Sequence, residues 1–105
     1  MPKFLFVYHG GKKPESEEEY NKVMAEWGAW FGSIGERLAI PGNPVGLSKT
    51  VSHGGVADNG GANPAAGFTV IEAADMDAAV ATAKGCPMVL NDVGTVEVAE
   101  IVEMM

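Results

Sequence analysis

Gly67–Met105 reads GFTVIEAADMDAAVATAKGCPMVLNDVGTVEVAEIVEMM, and this stretch decides the fold. Gly67–Ala73 is rich in β-formers and predicts a strand. Asp75 is placed to N-cap a helix over Met76–Lys84, with Asp77 favourable in its first turn. Met76, Ala79, Val80 and Ala83 give that helix a small-residue face that can seat closely on a sheet. Gly85 follows as a residue able to take positive φ at the helix end, and Pro87 blocks continuation. Gly94–Glu103 alternates for ten residues, which extended would span about 33 Å. That is long for so small a chain, so its end is expected to reach another subunit.

Working back toward the N-terminus, Lys3–His9 predicts a first strand. Phe4, Phe6 and Tyr8 point one way; Leu5, Val7 and His9 point the other. Both faces are apolar along most of the strand, whereas a strand covered on one side should alternate apolar with polar. Ser16 and Glu19 form a capping box, and three glutamates load the turn that follows. A helix is predicted over Glu17–Ala39, with Tyr20, Val23, Met24, Trp27, Phe31, Ile34 and Leu38 on its apolar stripe. Gly28 and Gly35 lie beside that stripe and predict close approach to a neighbour. Val45–Ser52 is the predicted second strand. His53–Pro64 is a polar connection with its turn at Asp58-Asn59-Gly60-Gly61.

The order is βαββαβ over one domain, residues 1–105: an α+β, ferredoxin-like arrangement of an antiparallel sheet with two helices on one face. Two helices cover one side of a sheet. The apolar second side therefore calls for a homodimer paired through the sheet.

Composition narrows the function classes. The 105 residues carry a net charge of −7 and 47% hydrophobic residues. The charge opposes nucleic acid and anionic membrane as partners. One cysteine, Cys86, excludes an intrachain disulfide. No apolar run approaches the ~18 residues of a membrane span. The opening MPKFLFVYHGG lacks a signal-peptide h-region and cleavage site. The expectation is a cytoplasmic location.

GFTVIEAADMDAAVATAKGCP followed by GTVEV, with the opening KFLFVYHGG and the helix ending GERLA, resembles the YCII-related family across nearly the whole chain. That resemblance implies a dimeric α+β barrel of ferredoxin-like subunits, with pockets between sheet and helices near the dimer seam. Some members carry a histidine in the first helix and an aspartate before a proline after the second, proposed as a catalytic pair. Here Glu17–Ala39 contains no histidine and the residue before Pro87 is Cys86. That pair is missing, so no reaction is carried over.

The remaining candidates come from residue chemistry. His9 ends a strand beside a Gly-Gly loop, where it can contact a ligand or move a proton near neutrality; a histidine satisfied by backbone groups is the plainer reading. Tyr8, Trp27 and Trp30 can wall a small planar ligand, Trp27 from the middle of the stripe and Trp30 from about 60° off it; packing explains them more simply. Ser48, on the predicted second strand, is a further ligand contact, whereas its neighbour Lys49 is first an edge-strand protector. His53 reads as solvated. Cys86 follows a helix C-terminus and reads as an inert buried thiol. Gly10-Gly11-Lys12-Lys13 has neither Walker nor Rossmann spacing. Two histidines and a cysteine, far apart, make no closed metal set, and no cofactor is called for. The sequence thus predicts a homodimeric small-molecule-binding protein; the alternative is a cofactor-free enzyme, monooxygenase- or isomerase-like, with a pocket near His9.

Overall fold

A computed structural model describes residues 1–58 and 63–103. In chain order the elements are β1 (Lys3–Gly10), α1 (Glu17–Ile34), a 3-10 turn (Gly35–Arg37), β2 (Leu38–Ile40), β3 (Lys49–Ser52), β4 (Gly55–Asp58), β5 (Ala65–Glu72), α2 (Met76–Ala83), α3 (Pro87–Leu90) and β6 (Gly94–Glu100). Four strands form an antiparallel sheet in the order β2-β5-β1-β6, and β3-β4 is a separate hairpin. This is the expected ferredoxin-like α+β fold, with the hairpin inserted between the second and third strands of the main sheet.

Local chemistry explains the long elements. Ser16 Oγ accepts from the Glu19 amide at 3.1 Å, and the Glu19 carboxylate reaches back to the Glu15 amide at 3.3 Å, one residue beyond a standard capping box. Asp75 accepts from the Ala78 amide at 2.8 Å and starts α2 as expected. Phe4, Phe6 and Tyr8 of β1 and Ile71 of β5 face the helices, and they pack with Trp30, Ile34, Ala79, Ala83, Cys86 and Met88. Leu5 and Val7 point to the other face, where they are half-buried and no helix lies over them.

Several boundaries differ from the sequence expectation. The first helix stops at Ile34 rather than Ala39, because Gly35 takes φ +62 and turns the chain out. Leu38–Ile40 then becomes the strand beside β5, displacing the predicted strand at Val45–Ser52. Val45 only touches the sheet, donating its amide to Ala66 O at 2.9 Å, and Lys49–Ser52 pairs with Gly55–Asp58 instead. The turn of that hairpin is His53–Gly54; the predicted one extends into residues 59–61, outside the described residues. Trp30, 6% exposed, rather than Trp27 is the tryptophan at the centre of the core, while Tyr20 and Met24 of the predicted stripe are about half exposed. A Cβ on Gly28 would meet nothing within 4 Å, so the close approach predicted there is not made among the described residues.

Downstream, Gly85 is not at positive φ. Its missing side chain instead leaves room for the Trp30 ring, whose nearest atoms would lie 3.3 Å from a Cβ. Pro87 does more than end α2: it occupies the first turn of α3, where its missing amide hydrogen costs nothing. The last strand ends at Glu100, not Glu103, after which the Ile101 amide bonds to Lys3 O at 2.9 Å. No helix is long and apolar enough to cross a membrane among the described residues.

Candidate functional site

The sequence candidates separate into two places on opposite sides of the sheet. Tyr8, Trp27 and Trp30 come together on the helix side. Tyr8 and Trp27 meet edge to face with centroids 5.1 Å apart, Trp27 and Trp30 at 5.5 Å, and Trp30 also stacks on Phe31 and Phe6. The Trp30 indole donates to Thr82 O at 3.0 Å, joining α1 to α2. Tyr8 Oη donates to Thr69 Oγ1 at 2.6 Å, and Thr69 donates in turn to Pro41 O at 2.9 Å. Burial pushes the Tyr8 phenol well above its usual range, so it stays neutral and donates. These rings and their polar tips are mutually satisfied.

His9 lies on the helix-free side. The pairing of β1 with β5 slips between Tyr8 and His9, so that Ala66 bulges out and the end of the sheet turns. His9 Nε2 is 2.9 Å from Glu97 Oε1, and Nδ1 is 3.2 Å from Pro64 O. A carbonyl and a carboxylate both only accept. The imidazolium form, with hydrogen on both ring nitrogens, satisfies both acceptors at once. The bond to Glu97 accordingly raises the His9 pKa above its ordinary value, with the Pro64 carbonyl adding to it and desolvation opposing.

A groove of about 390 Å3 opens at this end of the sheet, lined by Gly10, Val45–Ser48 and Asn63–Ala66. Ser48 Oγ is buried there with no hydrogen-bond partner among the described residues. His9 does not line the groove but borders it, through its chain neighbour Gly10 and its bond to Pro64. The five predicted residues thus do not converge on one pocket: Ser48 and His9 meet at the groove, while Tyr8, Trp27 and Trp30 form core. Sequence reasoning missed Glu97. Alternation in Gly94–Glu100 puts Thr95 and Glu97 on one face, but only the β1–β6 register, with Val7 opposite Glu97, brings that face to His9.

The other candidates resolve simply. Cys86 is fully buried and its thiol pKa is raised by burial. It caps the short α3 rather than only trailing α2, yet desolvation outweighs the amides it meets there. Lys49 pairs with Asp58 at 2.7 Å across the hairpin, and His53 is exposed. Among the described residues no cluster of His, Cys, Asp and Glu has the makings of a metal site.

A family model described as YCII-related domain matches residues 4–105 of the chain. No curated protein matches it. Among solved structures, the chain is similar to 5-chloro-2-hydroxyhydroquinone dehydrochlorinase (TftG) from Burkholderia phenoliruptrix, determined in complex with 2,5-dihydroxybenzoquinone. The TM-score is 0.56 at 15% identity, covering 95% of each chain, a likeness of fold.

Proposed function

The chain belongs to the YCII-related family, and from that premise we propose that it is a homodimer, paired through the helix-free face of its sheet, that binds a small organic molecule in the groove beside His9. The observation that carries the reading is the groove itself: a concave site with Val45 and Pro64 in its lining around the buried Ser48 hydroxyl, which has no hydrogen-bond partner among the described residues. Small-molecule sites combine mostly apolar lining with a few placed polar groups in this way. Hydroxylated ring compounds, the class to which the ligand of the dehydrochlorinase structure belongs, are the first probes. Their binding is read by thermal shift and by chemical-shift changes at Ser48, Gly10 and Ala65. Hits that shift those amides and weaken in Ser48→Val support the groove. Hits that bind both proteins equally and leave those amides unmoved remove it.

A second reading, a cofactor-free enzyme, is favoured by the His9–Glu97 pair. His9 can hold a proton at the edge of the groove, with the Glu97 carboxylate accepting from its ring at 2.9 Å. Chloride release from 5-chloro-2-hydroxyhydroquinone above the buffer rate, lost in His9→Gln, is the outcome it requires. A wild-type rate equal to buffer counts against that chemistry.

A further inference from the structure

Among the described residues, the β3–β4 hairpin packs against no part of the hydrophobic core. All eight of its residues are exposed, and none belongs to the core or packs against it among the described residues. Val51 and Val56 stand directly opposite one another in register, so they share one face, and they are 77% and 63% exposed. Leu47, at the root, is 98% exposed. A lone two-stranded hairpin is at best marginally stable in water. The Lys49–Asp58 ion pair that closes this one is exposed and contributes little.

The dimensions of the molecule point the same way. Its radius of gyration is 14.9 Å, where a compact domain of this length has about 13 Å. It exposes 7217 Å2, against about 5,600 Å2 for a compact monomer of its mass. The surplus is about 1,600 Å2, ample for the ~800 Å2 that each partner gives to a standard interface. Charge does not oppose a second copy at this segment. A second copy carries the same −7 and repels this one wherever acidic surfaces meet, but residues 49–58 hold one lysine and one aspartate and are locally neutral. The arm is a segment that a like-charged twin can approach without penalty.

We propose that the β3–β4 hairpin is an arm that clasps the second copy of this chain, laying its Val51–Val56 pair on that copy. The proposal rests on the homodimer reading above and extends its interface beyond the sheet. The test is sedimentation equilibrium over sub-micromolar to hundred-micromolar concentrations. It compares the wild type with V51T/V56T, which keeps β-branched residues in the hairpin, and with a chain in which a Gly-Gly turn replaces residues 49–58. Hydrogen exchange at Val51 and Val56 is followed at both concentration limits.

The expected result is a dimer Kd raised about tenfold or more in both variants, as for loss of central apolar interface contacts. The circular dichroism of the dilute monomer is unchanged, and exchange at the two valines slows as the wild type dimerises. A wild-type dimer whose Kd is the same in both variants, with fast exchange at both valines, overturns the arm and leaves the homodimer standing. A wild type that sediments as a monomer throughout overturns both.

Discussion

His9 has a different acceptor at each ring nitrogen, so its contacts favour the protonated ring. Because the folded pKa lies above the unfolded value of about 6.5, the stabilisation from this residue is complete below that pH and is lost as pH rises through the folded pKa. A proton NMR titration of the His9 ring is expected to give a midpoint above the ordinary one, falling in Glu97→Gln. An unmoved midpoint would separate His9 from Glu97 in solution. Gly42 is a second residue where atomic detail governs. It holds φ +76, and a Cβ there would overlap the Phe68 carbonyl. Gly42→Ala is expected to cost roughly 2–3 kcal/mol in urea unfolding, from strain and displaced backbone together. A loss under half a kcal/mol would mean that the β2–β5 edge adjusts freely. Neither effect is legible in sequence, since His9 meets Glu97 only across paired strands and Gly42 meets Phe68 only where the chain after β2 runs beside β5.

At the scale of elements, α2 was the most legible. Its cap is local and its span ends within a residue of the expected one, although Met76 and Val80 of the predicted face stay exposed; Asp75→Ala is expected to cost about 1 kcal/mol by thermal unfolding. No change would show that packing of Ala79 and Ala83 alone holds the helix. The longer α1 was half legible. Its stripe was visible, but Trp27 and Trp30 lie on neighbouring rows. Which one faces inward depends on how the helix is rolled against Phe6, Thr82 and Gly85, all remote in sequence. The strand at Leu38–Ile40 was hidden because three residues carry no periodicity. Its existence comes from the open edge of β5.

The molecule as a whole presents a sheet with helices over one face and, among the described residues, none over the other. Val7 lies on that second face, outside the core cluster, with Phe68 and Glu97 opposite it on the neighbouring strands. Val7→Glu is therefore expected to leave the protomer folded and to abolish the dimer in light scattering, because it puts a charge where the partner's apolar surface is to lie. A dimer of unchanged strength would rule out pairing through this face. The candidate site obeys the same geometry. The sequence points to His9 through its chemistry and the loop beside it, and to Ser48 on a predicted strand; in the structure Ser48 lines the groove and His9 borders it. Tyr8, Trp27 and Trp30 were named with them, yet a strand sends alternate side chains to opposite faces, so Tyr8 could not share the side of His9.

By itself the sequence determined β1, most of α1, β5, α2 and β6, the βαββαβ order and the two helix caps, because these depend on residues within a turn or a pleat of one another. Tertiary structure alone decided which tryptophan became core, that the predicted second strand became a separate hairpin, and that Glu97 met His9. Those outcomes depend on register between distant strands and on how helices seat on a sheet. Such contacts are selected by packing and exposed area rather than by local preference.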